Sequence, residues 1–240
     1  MVIPFNQHGH TSVIFCRHLL AFSLLLVCTH VIGSEASAAE DFSATYKAYK
    51  GQVQSGSDSL RKEDYQQAIT QFTRAIGMSP FEAMLYFNRG IALYKSGKMK
   101  EAEEDFDKAL VLDPRMVNAL AYRGLCREKL GKEKAALEDY TRAMQQQPDD
   151  VSIQNNLAWL YATAKEEGVR DKLKALEHAS KAAALSKEKN AGVLDTLGRV
   201  YFINGKVKDA IETEKKAIDL EPNNKDFKDN LALYERENKK

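Results

Sequence analysis

The sequence predicts an all-α solenoid, in which short helix–turn–helix units stack along the chain. Three observations predict it. Pro80, Pro114 and Pro148 stand 34 residues apart, and Pro222 falls two periods plus six residues further on. Small residues fall into columns on the same lattice. Each period also holds two stretches with apolar residues at 3–4 spacing, broken midway by glycine and ended by proline, which reads as helix, tight turn, helix, stop.

With each proline at position 32 of a 34-residue unit, the units start at Tyr49, Ala83, Val117, Val151 and Ala191. Position 8 then holds Gly56, Gly90, Gly124, Ala158 and Gly198, and position 15 holds Gly97, Gly131 and Gly205. Position 20 holds Ala68, Ala102, Ala136, Ala175 and Ala210; position 27 holds Ala75, Ala109, Ala143, Ala182 and Ala217. Position 24 holds Phe72, Phe106 and Tyr140, then Ala179 and Glu214. Residues without bulk at 8 and 20 let the two helices of a unit cross closely, and position 24 fills the space beside the crossing. One helix pair cannot bury its apolar face alone, so the units must stack.

These small, aromatic and proline columns resemble the tetratricopeptide repeat (TPR). The resemblance covers about 175 residues in five units, 49–82, 83–116, 117–150, 151–190 and 191–224, after a lead-in at 39–48. Residues 225–240 resemble the terminal capping helix, with Phe227, Leu231 and Tyr234 facing repeat five and Lys228, Asp229, Glu235 and Arg236 facing water. Repeat four departs from the pattern: it lacks the proline and carries about five extra residues around Glu166 to Arg170, plus one near Lys189. A tolerated surface insertion is the preferred reading of that loop over a partner contact. The resemblance implies a right-handed superhelix whose concave surface holds a protein or peptide.

The first 38 residues read as a secretory signal peptide. Arg17 and His18 precede the apolar run Leu19 to Cys28, and Ala36-Ser37-Ala38 supplies small residues for cleavage before Ala39. A periplasmic or secreted protein is therefore expected, with a chain anchored to the membrane by the N-terminal segment as the alternative. Val27 before Cys28 disfavours a lipoprotein. Cys16 and Cys28 leave with the signal, so the mature chain keeps Cys126 alone, read as a helix-packing residue. Thirty-five basic and 34 acidic residues are interspersed, which argues against nucleic acid as a partner.

No catalytic constellation is legible. After signal removal His178 and Cys126 are alone of their kinds, no CxxC or two-histidine motif is present, and the glycines lie on the repeat lattice rather than in a phosphate loop. A non-enzymatic protein is expected, with no cofactor, no metal and no small-molecule substrate. One regularity concerns charge: Arg89 and Arg123 occupy position 7 in repeats two and three, and those repeats alone carry Asp at position 23, Asp105 and Asp139. An ion-pair clip within each unit is preferred over a basic binding site. If exposed, such a clip is worth roughly 0 to 1 kcal/mol.

On the first helix of each unit, positions 4, 8 and 11 form a packing stripe, and positions 2, 5, 9 and 12 form a second stripe about 120° away. The resemblance implies that this second stripe lines the peptide-binding surface. The candidate contacts are Met84, Phe87, Ile91, Tyr94, Asn118, Leu125, Asn155, Trp159, Arg199 and Phe202. In repeat two the stripe is apolar throughout, so something is expected to cover it: Phe42, Tyr46 or neighbouring helices, or a partner with apolar anchors. The family's clamp for acidic C-termini is absent, because only Asn88 matches it and Val53, Ser57, Asn118 and Tyr122 stand at its other places. The expected function is an exported scaffold or adaptor for a protein or peptide. The alternative is a non-catalytic accessory or regulatory subunit of an envelope enzyme complex, with or without a membrane tether.

Overall fold

The computed structural model describes residues 41–239, so the signal-peptide reading lies outside the described residues. The chain forms two compact units, divided between Gln52 and Val53. In the first, residues 41–52 are helical and largely exposed, with Phe42 stacked on Tyr46 at 6.3 Å and Tyr46 on Tyr49 at 6.4 Å. The second is a solenoid of paired helices, with no strand among the described residues.

Residues 53–61 form α1. There follow α2 (Tyr65–Met78), α3 (Ala83–Lys95), α4 (Met99–Leu112), α5 (Val117–Lys129), α6 (Glu133–Gln146), α7 (Val151–Thr163), α8 (Lys172–Leu185), α9 (Ala191–Ile203), α10 (Val207–Leu220) and α11 (Lys225–Glu237). Odd-numbered helices open each repeat and even-numbered ones close it. α3 packs on α4, α5 on α6, α7 on α8 and α9 on α10, and each pair packs on the next. No helix among the described residues is long and apolar enough to cross a membrane.

The helix crossings show why the small-residue columns exist. All ten alanines at positions 20 and 27 are 0% exposed. A methyl group built on Gly56, Gly90 or Gly124 would come within 2.9, 2.7 and 2.5 Å of the rings of Phe72, Phe106 and Tyr140. The glycine at position 8 and the ring at position 24 are therefore one device, a ring seated on bare backbone. Repeat four uses a different pair, with Ala158 and Ala179 both buried.

The turns within repeats follow one pattern. Gly97, Gly131 and Gly205 all have φ between 74° and 82°, a left-handed backbone that a side chain disfavours. The residue after each donates its N–H five residues back, Lys98 to Leu93, Lys132 to Arg127 and Lys206 to Tyr201, which closes the first helix. Repeat one makes the same turn, Asp64 to Ser59, with Glu63 at φ 60° in place of glycine. Between repeats, the carbonyl freed where proline ends the helix is used by the next unit: Tyr86 donates to Pro80 at 3.0 Å and Gln154 to Pro148 at 2.6 Å.

The loop of repeat four is built in rather than loose. The Glu133 carboxylate of α6 accepts the N–H groups of Lys165 (3.0 Å) and Glu166 (2.8 Å), which hold its pKa below the usual range. Lys134 pairs with Glu166 at 2.7 Å, and Val169 is buried. The second irregularity is a left-handed pair, Lys187 and Glu188, after α8.

Both arginine clips form, in a setting the sequence did not disclose. Arg89 grips Asp105 with two 2.7 Å bonds, and Arg123 grips Asp139 through Nε at 2.9 Å and Nη2 at 2.5 Å. Each arginine also reaches back to position 25 of the preceding repeat, Arg89 to Thr73 at 3.1 Å and Arg123 to Asp107 at 2.6 Å. Arg127 adds a third bond to Asp139 at 2.8 Å and joins Lys132 on Glu103. Burial acts to raise the Glu103 pKa, and these two cations outweigh it, so the carboxyl sits below its ordinary value. Asp139 is only 1% exposed, so the exposed-pair value expected above does not apply.

Two outcomes follow from this packing. Ala136→Leu overpacks a fully buried crossing and should cost about 1 to 3 kcal/mol in chemical denaturation; an unchanged midpoint would contradict the register. Asp139→Ala strands two buried guanidinium groups and should cost about 3 to 5 kcal/mol, and a double-mutant cycle with Arg123→Ala should show a coupling that survives molar salt. A coupling under about 1 kcal/mol that vanishes in salt would return the pair to surface behaviour.

Candidate inter-repeat groove

The first helices of repeats two, three and four lie in contact as α3, α5 and α7. Between them runs a groove of about 490 Å³, lined by Tyr94 and Lys95 of α3, Asn118, Ala121, Tyr122 and Leu125 of α5, and Asp150, Ser152, Ile153 and Asn156 at the start of α7. It passes obliquely from the C-terminal end of α3 across α5 to the N-terminal end of α7. Local chemistry fixes both ends: the left-handed turn at Gly97 stops α3, and the Asp150 carboxylate caps α7 by accepting the Ile153 N–H at 2.9 Å.

The floor is apolar and aromatic, from Ala121, Tyr122, Leu125 and Tyr94, with Ile153 below. Tyr94 meets Tyr122 edge-on at 5.7 Å, and burial raises the pKa of its hydroxyl. The walls carry the amides of Asn118 and Asn156 and the Ser152 hydroxyl. A primary amide offers donors and an acceptor together, the complement of a peptide backbone. Lys95 stands at the α3 end and Asp150 at the α7 end, so the groove has no single dominant charge.

The second stripe divides into three environments. Tyr94, Asn118 and Leu125 line the groove. Phe87 is core: it is 8% exposed, tilted on Phe106 at 5.9 Å and edge-on to Tyr122 at 6.0 Å, with half-buried Ile91 packed on the same cluster. The cover comes from neighbouring helices, while Phe42 and Tyr46 stand mostly exposed, and Met84 is open to solvent at 53%. The third environment lies at the far end: Trp159 faces the Arg199 guanidinium at 5.7 Å, Arg199 donates to Asn230 of α11 at 2.8 Å, and Phe202 stacks on Tyr234 of α11 at 4.6 Å. α11 takes the place that a sixth repeat would take, so it covers this part of the stripe. Asn155 is half-buried with its Oδ1 lacking a partner.

Sequence reasoning missed Tyr122, Asn156, Ile153, Lys95 and Asp150. Tyr122 and Asn156 share position 6, roughly 80° from the centre of the second stripe at 100° per residue. The usable signal was their recurrence at one register next to the stripe. Lys95 and Asp150 lie at helix ends, where the oblique course of the groove brings them in.

Other reactive groups are occupied or buried. His178 shares a 2.7 Å hydrogen bond with Gln154 and stacks on Tyr161, and burial lowers its pKa. Cys126 is fully buried at position 10 and its thiol is pushed up to about 12 by burial. Glu128 has its pKa raised by burial although the Tyr140 hydroxyl donates to it at 3.2 Å. Among the described residues no group of three or more His, Cys, Asp or Glu side chains is placed to hold a metal ion.

Comparison with known proteins agrees with this geometry. Tetratricopeptide-repeat family models match residues 53–117 and 191–224. Among solved structures, MamA from Desulfovibrio magneticus RS-1 superposes with a TM-score of 0.63 at 22% identity, over 74% of this chain and 97% of that one. A thermophilic TPR protein of Thermus thermophilus gives 0.63 at 18% identity over 78% and 98%. A tetratricopeptide repeat protein from Parabacteroides merdae ATCC 43184 gives 0.64 at 18% identity over 78% and 72%. No curated protein matches the sequence significantly. The chain carries tetratricopeptide repeats, stacked as a solenoid.

Proposed function

We propose that this protein is an exported, non-enzymatic scaffold or adaptor that holds a protein or peptide partner in the groove across α3, α5 and α7. The carrying observation is the groove itself: an apolar, aromatic floor flanked by the side-chain amides of Asn118 and Asn156. An occupant with apolar side chains on the floor and its backbone on the amides fits that chemistry. With Lys95 as the only cation in its lining, the groove is poorly matched to a carboxylate-rich tail. Export rests on the N-terminal sequence, where a basic pair, an apolar run and Ala36-Ser37-Ala38 follow one another.

Two measurements test this reading. Asn118→Glu with Ser152→Glu places two carboxylates against the apolar floor, at helix N-termini that tolerate negative charge. Capture of partner from an extract of the source cells, read by mass spectrometry, should fall at least about tenfold with helical content and Tm nearly unchanged. Lys108→Glu on α4 serves as the control and should keep capture. Undiminished capture by the groove variant would move the binding surface elsewhere. N-terminal sequencing of the protein isolated from cells should begin at Ala39, and an intact segment 1–38 would make the protein membrane-anchored.

A further inference from the structure

Repeat five breaks the ring-on-glycine device in an unusual way. Position 24 holds Glu214, fully buried at 0% exposure, where repeats one to three hold an aromatic ring. Its Oε2 lies 2.8 Å from where a methyl group on Gly198 would stand, so a carboxyl group occupies the ring's seat. Neither of its oxygens meets an ordinary hydrogen-bond donor. The group that it does reach is another carboxyl, that of Asp195 on α9.

Two carboxylates cannot bond to each other without a proton between them. Arg199 of α9 is the cation acting on both, and its Nε makes no hydrogen bond. From α11, Asn230 bridges the pair to that cation: it donates to Asp195 at 2.8 Å and accepts from Arg199 at 2.8 Å. Tyr234 of α11 adds a buried hydroxyl without a partner, and Asp226 adds a further negative charge near Asp195. With one cation against two carboxylates, the closed cluster balances only when one carboxyl is protonated. Loss of that proton leaves an uncompensated negative charge beneath α11.

We infer that α11 is latched by a proton shared between Glu214 and Asp195, so that rising pH loosens the C-terminal helix and uncovers Arg199 and Phe202. The direction follows from linkage. Burial first, and the Asp195 charge second, push the Glu214 pKa up to about 8 from an ordinary 4.5, and Asp195 is also raised by burial. Between those two values the closed state holds more protons than the open one, so its stability is complete below the lower value and declines as pH climbs to the upper. The two carboxyls titrate as a coupled pair.

Amide hydrogen exchange of the mature protein, followed over residues 225–237 and corrected for the intrinsic pH dependence of exchange, tests the latch without reference to partner binding. Protection of α11 should fall from about pH 6 to about pH 8, by up to about tenfold per pH unit, while α4 and α5 stay level. Glu214→Gln supplies a neutral donor to Asp195 in the same shape, and should keep α11 protected with a flat profile. Asp195→Asn removes the second carboxyl from the other side and should flatten the profile too, which guards against a Glu214 variant that fails to fold. A flat profile in the unsubstituted protein, or a persisting slope in either folded variant, would overturn the inference.

Discussion

The close crossing of two helices within each repeat is the constraint on which the rest of the structure depends. Backbones approach closely only if no Cβ intervenes, which is why position 8 is glycine wherever position 24 carries a ring. The ring then fills the space beside the crossing, and alanines at 20 and 27 close the pair without strain. Such a pair is small and leaves apolar surface on both flanks, so its stability comes from the neighbouring repeats. The left-handed glycine turns and the proline stops set the lengths of the helices that meet, and the proline carbonyls accept bonds from the next unit.

That constraint also explains what could be read from the sequence. Spacing rules that act within one repeat leave a periodic trace, so helices, turns and crossing residues were all legible from the columns. Contacts between repeats leave a weaker one. Phe87 falls on the second stripe, and only the arrival of Tyr122 from the next repeat buries it. Arg199 and Phe202 also fall on that stripe, but the helix packed on them is α11, whose sequence carries no repeat signature. Tyr122 and Asn156 escaped notice because the groove runs obliquely and takes in a register beside the stripe. A helical-wheel argument treats each helix as though it faced one flat neighbour, whereas α5 meets α3, α4, α6 and α7.

The charged residues divide the solenoid differently. Repeats two and three place a buried guanidinium between position 23 of their own second helix and position 25 of the preceding one, so Arg89 and Arg123 tie three helices each. Their carboxylate partners at position 23 are enclosed, and each meets an opposite charge. Repeat four replaces this with neutral bonds, Gln154 to His178 and to the Pro148 carbonyl. Its loop is held instead by Glu133 and Lys134 of repeat three. Rigidity is thus concentrated at the repeats that form the groove, as a preformed binding surface requires, since a groove that is already ordered loses less freedom when it is filled.

Repeat five departs from both solutions. A fully buried carboxyl in a ring's seat sacrifices the apolar contact that stabilises repeats one to three, and it does so next to a second carboxyl with a single arginine for compensation. A hydrophobic residue there would bury surface at no electrostatic cost, so packing alone does not explain Glu214. The strain falls on α11, which lacks the pair of flanking repeats that hold every internal helix and depends on Phe227, Tyr234 and the Asn230 bridge. An end helix held by so few contacts is where a small change in charge can have a large effect, because no further repeat packs on it to share the strain. The same cluster inside the stack would merely weaken one crossing; at the end it can open one helix and leave the other crossings intact.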